Sequence, residues 1–385
     1  MNHTKPNVKF LAQLRKRYAK ATKKQRMVIL DEFVATAGYH RKHASALLSG
    51  KRQWRNPTQP IRRPRHQFYT EEDRAAILWL VELFDDIGSK RLRVAMNNEL
   101  ANLRHNHYLK LKVSRSCYQH LWQVSPSTMD RWRRAARRPG RRLRGGTKPG
   151  TLLKHQIPIR TFAEWNDKRP GFAEIDLVQH DGGTNKGDFA CTLTFTDVAT
   201  SWTEHGATPN KAQGHVFQVL KQERAQLPFP LLGIDSDNGA EFINHELHRY
   251  CEQEHLTFTR GRVGRKNDNP FVEEKNWSTV RRLIGYGRYD TQKQVAQLNA
   301  LYQVYRLYFN HFSPVTKLVK TEHHGSRVTK TYDAPKTPYH RVLDSTNVSD
   351  EVKAKLRRAH TRLDVVQLKR QLDQLLAELK PTRQW

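Results

Sequence analysis

Cysteine is scarce in this sequence of 385 residues, and long apolar runs are missing from it. The three cysteines, Cys117, Cys191 and Cys251, lie far apart and form no C-x-x-C pair. They support neither a disulfide framework nor a thiolate zinc site, and they favour a reducing compartment. The longest apolar run, residues 77–83, contains Glu82 and is too short to cross a bilayer. The first ten residues contain no apolar signal segment. We therefore expect a soluble, intracellular protein with no membrane partner.

Acidic residues are few relative to basic ones. The chain has 68 Lys and Arg against 37 Asp and Glu, which gives a formal net charge of +31. Such an excess favours nucleic acid as the partner. A basic protein that is merely soluble, or a ribosomal protein, is the alternative that charge alone leaves open. The length is too great for one compact core and predicts two to four domains.

Residues 1–50 have the outline of a helix-turn-helix DNA-binding domain. Apolar residues recur at helical spacing over residues 24–34, Gly38 ends that helix, and a second, basic helix is predicted over residues 40–48. Residues 51–68 follow with three prolines and many cations, which predicts a basic linker that lies against phosphates.

A second helix-turn-helix domain is predicted over residues 69–140. Its first helix begins at Thr70, where an acid three residues later makes a variant of the capping box. Helices are predicted over residues 117–123 and 127–138, and the second is basic enough to fit a DNA major groove, with an ordinary solvated helix as the alternative. Residues 141–164 are predicted to be a flexible basic linker.

Residues 165–312 are predicted to form an α/β core, a mixed five-stranded sheet with flanking helices. Three successive strands come first, and helices then alternate with parallel strands. The predicted strands are 172–180, 189–198, 202–207, 231–236 and 256–260, and the predicted helices are 211–226, 241–254 and one that begins near residue 271.

Residues 313–385 are predicted to be a small C-terminal region. Residues 317–332 predict a hairpin, and residues 349–379 predict one terminal helix. The leucines at 368, 372, 375 and 379 are spaced four, three and four residues apart. This stripe favours either self-association or packing on the chain's own body, and the pattern does not separate the two.

Three acids stand out by their position in the predicted core. Asp176 lies in the middle of the first strand, Asp237 directly follows a buried strand, and Glu273 lies on the first turn of a helix. The predicted sheet order brings the two aspartates side by side, and a helix packed alongside brings Glu273 close. Three carboxylates gathered in this way repel one another unless hard divalent cations such as Mg²⁺ lie between them.

The spacing of these acids carries a family resemblance. The segments GIDSDNGAEFIN and NPFVEEKNW put 35 residues between Asp237 and Glu273, and AEIDLVQHDGG puts 60 residues between Asp176 and Asp237. This resembles the D,D(35)E pattern of the retroviral-integrase catalytic core superfamily. The layout, with the segments YHRKHASALLSG and VSPSTMDRWRR near the N-terminus, is similar to that of bacterial insertion-sequence transposases. Retroviral integrases carry a His-His-Cys-Cys zinc module, for which this chain lacks the cysteines.

The resemblance implies an RNase H-like core and a DDE-type DNA transposase or integrase. It implies that water frees a 3′ hydroxyl at each element end and that this hydroxyl then attacks target DNA. It assigns Asp176, Asp237 and Glu273 as the catalytic residues and as the ligands of two Mg²⁺ (or Mn²⁺) ions. The implied partners are DNA, both terminal inverted repeats and target, and further copies of the chain in a dimer or tetramer assembled on DNA. The implied place is the bacterial cytoplasm, in association with the nucleoid.

Neighbouring acids compete for the same roles. Asp235 shares a face with Asp237 if the strand continues, so a ligand role stays open, although the motif register favours Asp237. Glu274 points about 100° away from Glu273 on a helix. Asp181 and Asp197 are predicted to be ordinary turn acids.

Several cations are candidates for DNA contacts. The spacing after Glu273 is expected to place two of them near the side of that residue, on a helix that the resemblance implies grips DNA. The loop 261–270 has the composition of a mobile active-site loop, with an ordinary surface loop as the alternative. The candidates are Arg41 and Lys42 in the first domain, Arg131 and Arg134 in the basic helix, Lys266 in the loop, and Lys275 and Arg282 after Glu273.

Three other functions compete with strand transfer. A nuclease of the RNase H type would share the sheet and the metals but join nothing. A DNA-binding regulator with an inactive core would be expected to have lost at least one of the three carboxylates, and all three are present. A serine or tyrosine recombinase would use Ser278, Tyr286 or Tyr289 as its nucleophile and would leave the three acids unexplained.

Overall fold

The computed structural model describes residues 8–52, 68–109, 113–136, 169–236, 242, 245–260, 270–324 and 327–383. The chain divides into two compact units, with the division after Phe68. Each unit has its own hydrophobic core.

The first unit is helical. It contains α1 (Val8–Lys20), α2 (Lys23–Ala37) and α3 (Arg41–Leu48). A capping box between Thr22 and Gln25 starts α2, and Gly38 ends it with φ 69°. The helices predicted over residues 24–34 and 40–48 are thereby confirmed. The core of the unit is aliphatic with one phenylalanine: Leu11, Ile29, Leu30, Phe33, Leu47 and Leu48. Most of the predicted linker 51–68 lies outside the described residues.

The second unit begins with four more helices, α4 (Glu71–Leu83), α5 (Ser89–His105), α6 (Arg115–Gln123) and α7 (Pro126–Ala136). The predicted capping box forms between Thr70 and Asp73. Leu80 and Leu100 from these helices belong to the same buried cluster as Leu301 and Leu372 near the C-terminus. The boundaries predicted between residues 69–140, 165–312 and 313–385 therefore fall inside one compact unit. The predicted linker 141–164 lies outside the described residues.

A five-stranded mixed sheet occupies the middle of this unit. Its strands are β1 (Phe172–Gln179), β2 (Cys191–Asp197), β3 (Thr203–Thr208), β4 (Gly233–Ser236) and β5 (Thr257–Arg260), in the order β3-β2-β1-β4-β5. The first three strands pair antiparallel, and β1-β4 and β4-β5 pair parallel. This confirms the predicted sheet and its strand sequence.

Helices flank the sheet on both faces. The helices α8 (Gln213–Gln226) and α9 (His245–Gln253) pack on the face that carries Ile175 and Leu193. The other face meets α12 (Gln292–Phe312) and a continuous helical segment made of α10 (Pro270–Lys275), a π-helical turn (Asn276–Arg281) and α11 (Arg282–Ile284). We call this segment, residues 270–284, the Glu273 helix.

The C-terminal region contains the predicted hairpin, β6 (Leu318–His324) with β7 (Arg327–Tyr332), and then α13 (Pro338–Asp344), α14 (Asp350–His360) and α15 (Val365–Glu378). The prediction of one helix over residues 349–379 is wrong, because two helices are present. Asp364 accepts hydrogen bonds at Oδ1 from the Val366 and Gln367 amides, at 2.9 and 3.0 Å, and so starts a new helix. Leu368 and Leu372 are buried in the cluster shared with α12, so this part of the stripe packs on the chain's own body.

Within the described ranges, none of the helices combines the length with the apolar character that crossing a bilayer requires.

Candidate active site

The strand pair β1-β4 contains the residues that directly precede two of the three predicted acids. Ile175 pairs with Ser236 in parallel register, and these residues directly precede Asp176 and Asp237 in the sequence. Asp176 is half-buried on β1. Asp237 lies outside the described residues, as does Lys266.

The Glu273 helix is joined directly to Asp176. Asn276 donates a hydrogen bond from Nδ2 to Asp176 Oδ2 at 2.5 Å, and the Leu177 amide donates to Asp176 Oδ1 at 2.8 Å. Asn276 comes three residues after Glu273, so the two residues are close neighbours on this helix. Glu273 itself is exposed. The structure thus brings Asp176 together with the helix that carries Glu273.

A second residue of β1, Glu174, also contacts this helix. Its side chain is fully buried, and Oε2 accepts hydrogen bonds from the backbone amides of Phe271 and Val272, both at 2.8 Å. Burial raises the pKa of Glu174 well above its usual value; Asp235 and Glu273 raise it further, while the two amides oppose the shift. Sequence reasoning missed this residue. The available signal was strand alternation, which puts Glu174 on the same face of β1 as Asp176.

The competing acids have structural partners of their own. Asp235 is fully buried and accepts a hydrogen bond from Thr259 Oγ1. Asp197, at the end of β2, accepts from the Gly171 and Thr200 amides, both at 2.7 Å, and burial raises its pKa to about 6. The contact with Thr200 is typical of the turn acid that was predicted, whereas the contact with Gly171 joins residues 26 positions apart.

Of the two further acids, Asp181 is half-buried and Glu274 is exposed. Asp181 accepts from the Gly183 amide at 3.1 Å within the turn after β1. Glu274 forms an ion pair with Lys275, and its side chain is 53% exposed. These contacts of Asp181 and Glu274 do not involve Asp176.

The oxygen atoms around Asp176 suit a hard divalent cation. Buried oxygens without a hydrogen-bond partner occur on Glu174 (Oε1), on Asn276 (Oδ1) and on Thr194 (Oγ1), which is the cross-strand neighbour of Asp176. Mg²⁺ and Mn²⁺ prefer carboxylate and carbonyl oxygens of this kind. Among the described residues no group of three or more His, Cys, Asp or Glu could hold a metal ion, and the third predicted ligand, Asp237, lies outside them.

The candidate DNA-contacting cations of the helical regions lie at the surface. Arg41 and Lys42 are exposed on α3, and Arg41 forms an ion pair with Asp31. On α7, Arg131 and Arg134 are exposed, and Arg131 also donates a hydrogen bond to Thr128 Oγ1 at 3.2 Å.

The two cations after Glu273 lie elsewhere than expected. Lys275 is 5% exposed, pairs with Glu274 and lies over the Phe309 ring. Arg282 is exposed and donates to the Asp85 carbonyl. Both line a cleft of about 410 Å³ together with Glu274. The expected position of Lys275 on the side of Glu273 is wrong, because two residues along α10 correspond to a rotation of about 200°. The π-helical turn between Glu273 and Arg282 changes the helical spacing on which the expectation for Arg282 rested.

Comparisons with known proteins give one close relative and several distant structures. The "Uncharacterized protein y4rM" of Sinorhizobium fredii (strain NBRC 101917 / NGR234) is 40% identical over 326 residues, which are 84% of this chain and 91% of that protein. The catalytic core domain of HTLV-2 integrase in complex with magnesium has 16% identity and a TM-score of 0.29, and covers 38% of this chain and 91% of that one. The catalytic core domain of BIV integrase also has 16% identity and a TM-score of 0.29, and covers 45% and 94%. No protein-family model matches the chain.

Proposed function

We propose that this chain, which belongs to the same family as the Sinorhizobium fredii protein y4rM, is a DNA transposase or integrase. In this proposal it cleaves DNA at the ends of a mobile element and joins the freed 3′ hydroxyl to target DNA. The observation that carries the proposal is the hydrogen bond of Asn276 to Asp176, which attaches the helix of Glu273 to the strand of Asp176.

Asp176, Asp237 and Glu273 are the proposed metal ligands. Two parallel-paired residues, Ile175 and Ser236, immediately precede the two aspartates, which supports a placement of the aspartates side by side on neighbouring strands. Two Mg²⁺ or Mn²⁺ ions held there would activate the attacking oxygen and stabilise the leaving 3′ oxygen. The three carboxylates act as ligands in this scheme, and none of them is the nucleophile.

The chain's own residues orient these ligands and hold the DNA. Asn276 fixes one oxygen of Asp176, while the backbone amide of Leu177 fixes the other. The exposed cations Arg41, Lys42, Arg131 and Arg134 are proposed to contact phosphates, because such contacts position DNA without reading its sequence. Lys266 remains a proposed phosphate contact on the same grounds of charge.

Lys275 and Arg282 are less available for DNA contacts, since Lys275 forms an ion pair and Arg282 donates a hydrogen bond within the protein. We propose that Arg282 rather than Lys275 contacts DNA, because Arg282 is exposed whereas Lys275 is buried.

Cutting two element ends together requires more than one active site, so the proposed assembly is a dimer or tetramer on DNA. The proposed DNA partners are the terminal inverted repeats and the target.

A role for Tyr289 as the nucleophile of a tyrosine recombinase is disfavoured by the position of its side chain. That side chain is 2% exposed, and its hydroxyl donates to the Ile284 carbonyl at 3.1 Å. Burial also raises its pKa. A buried, hydrogen-bonded and protonated phenol is a poor nucleophile towards a DNA phosphate.

The test is strand transfer on labelled duplexes that carry the element's terminal repeats, with Mg²⁺ or Mn²⁺. Wild type is compared with Asp176→Asn, Asp237→Asn and Glu273→Gln, and with the matched controls Asp181→Asn and Glu274→Gln. We expect joined products from wild type and both controls and none from the first three variants.

Other outcomes separate the rival functions. Cleavage of a DNA–RNA hybrid without joining would support the nuclease instead, and binding without cleavage by wild type would support an inactive regulator. Joining by all three carboxylate variants would overturn the assignment of these ligands.

A further inference from the structure

The strand β1 holds the Glu273 helix at two separate points. Glu174 accepts hydrogen bonds from the Phe271 and Val272 amides at 2.8 Å, and Asp176 accepts from the Asn276 side chain at 2.5 Å. Both contacts come from one face of a single strand, because residues two apart on a strand point the same way. Glu273 lies between the two points along the helix.

The two contacts are separated along both elements. Two residues of strand advance by about 6.6 Å. Between the Phe271–Val272 amides and Asn276 the helix advances by four to five residues, which is about 6 to 7.5 Å at the rise of a helix. The helix therefore cannot slide along β1 or rotate on it without breaking one of the two contacts.

The contact of Glu174 is specific to a side-chain acceptor of its length. The first amides of a helix have no hydrogen-bond acceptor within the helix. Here one carboxylate oxygen of Glu174 is the acceptor for two of these amides. A leucine at this position would avoid the desolvation of a buried acid, but it would leave both amides without an acceptor. The second oxygen, Oε1, is buried without a hydrogen-bond partner. Apolar packing alone therefore does not require an acid at this position, whereas the two amides require an acceptor.

We infer that Glu174 is a positioning residue for the reaction: it sets the distance of Glu273 from Asp176 by holding the start of the Glu273 helix on β1. This inference rests on the proposed function. It predicts that an acceptor of the same length preserves the site, whether or not it has a charge, and that a side chain without an acceptor disorders it.

The test compares Glu174→Gln with Glu174→Leu. The matched controls are Glu223→Gln and Glu223→Leu. Glu223 is also a buried acid, but neither of its carboxylate oxygens has a hydrogen-bond partner, and it lies on α8, which packs on β2 and β3. Three quantities are measured on the full chain: hydrogen exchange of the peptide that covers residues 270–276, Mn²⁺ binding by electron paramagnetic resonance, and kcat and KM for DNA cleavage.

We expect Glu174→Gln to keep the amide protection and the Mn²⁺ affinity of wild type, since the amide oxygen of Gln can accept both bonds. Glu174→Leu should lose protection at the start of the helix, and should lower Mn²⁺ affinity and kcat by about tenfold or more, as is typical when a residue that supports a metal ligand is removed. KM for DNA should not change. Both Glu223 variants should retain all three quantities.

Different failures identify different errors. Wild-type Mn²⁺ affinity and kcat in a folded Glu174→Leu variant would overturn the positioning role. Unaltered Mn²⁺ binding in Asp176→Asn would sink the proposed function, while the exchange experiment would still report on the contact between β1 and the helix. If Glu174→Leu does not fold, Glu174→Asp makes the same test, because it keeps a carboxylate but is one methylene too short to reach both amides.

Discussion

Asn276 Nδ2 lies 2.5 Å from Asp176 Oδ2, and this hydrogen bond spans 100 residues of sequence between the π-helical turn and the middle of β1. The opposite end of the same amide, Oδ1, is buried without a hydrogen-bond partner. One side chain therefore orients a proposed metal ligand with its donor and leaves an oxygen acceptor free beside it. Because Glu273 is three residues earlier, the orientation of Asp176 and the position of Glu273 depend on the same helix.

Asn276→Ala should lower the rate of DNA cleavage by about tenfold, because Asp176 loses the donor that orients it. The free energy of unfolding should fall by about 1.5 to 3 kcal/mol, as is typical for a hydrogen bond to a charged group. Asn299→Ala is the control, since Asn299 makes two hydrogen bonds to the backbone of Ala207 on β3, at 2.7 and 3.0 Å. It should lower stability but leave the rate per folded molecule unchanged. Equal rate losses in the two variants would contradict the orienting role of Asn276.

Arg134→Ala and Arg133→Ala should affect different properties, although the residues are adjacent on α7. Arg134 is exposed, so its loss should weaken DNA binding similarly for all sequences and reduce the salt dependence by about one unit of slope. Arg133 is 6% exposed and binds Asp86 and Ser89, so its loss should lower the free energy of unfolding by about 1 to 3 kcal/mol.

Fluorescence anisotropy at several salt concentrations and urea denaturation measure the two effects. An unchanged salt slope in Arg134→Ala would remove this arginine from the proposed DNA surface.

Two glycines should respond in opposite directions to replacement by alanine. A Cβ at Gly206 on β3 would collide with Val219 Cγ1 and come within 3.3 Å of Glu223 Oε1 on α8. Gly206→Ala should therefore destabilise the protein by about 1 to 3 kcal/mol. Gly214, on α8, has no atom within 4 Å of an added Cβ, so Gly214→Ala should stabilise by about 0.5 kcal/mol. Urea denaturation of both variants gives the sign of the change in the free energy of unfolding. A Gly206→Ala variant as stable as wild type would show that α8 can move away from β3.

Stability should decline as the pH falls from about 6.5 towards 4, in part because of His360. Burial lowers the pKa of His360 to about 4, and that of its neighbour His311 to about 3. The unfolded chain takes up these protons near pH 6.5 whereas the folded chain resists them, so the unfolded state binds more protons in this range and is favoured by acid. The contribution of His360 is fully present above pH 6.5 and is lost by about pH 4.

His360→Phe should flatten this decline, because phenylalanine keeps the stack on Tyr339, whose ring centroid is 4.2 Å away, and has no proton to bind. The control is His105→Gln, an exposed residue of α5. Thermal melting between pH 4 and 7 makes the comparison. A decline as steep in His360→Phe as in wild type would assign the acid sensitivity to other groups.

Local patterns in the sequence were sufficient for most of the sheet and for many helix starts. The capping box at Thr70 and the helix end at Gly38 each depend on residues within a few positions of each other, so the sequence alone predicts them. The break between α14 and α15 was missed, because the leucine stripe begins only after it and the N-cap at Asp364 was not recognised. The side of the helix taken by Lys275 was also misjudged.

The sequence by itself determined the five strands, their order along the chain and the spacing of the three acids, because alternation and chemical type are local properties of residues. Only the tertiary structure decided that Glu174 caps the Glu273 helix, that Asn276 holds Asp176, and that Lys275 pairs with Glu274 inside a cleft. The first two contacts join residues 97 to 100 positions apart, and the pairing of Lys275 is decided by which face of its helix packs inward against Phe309. Such contacts depend on how a helix docks on a sheet, and no local pattern encodes that docking.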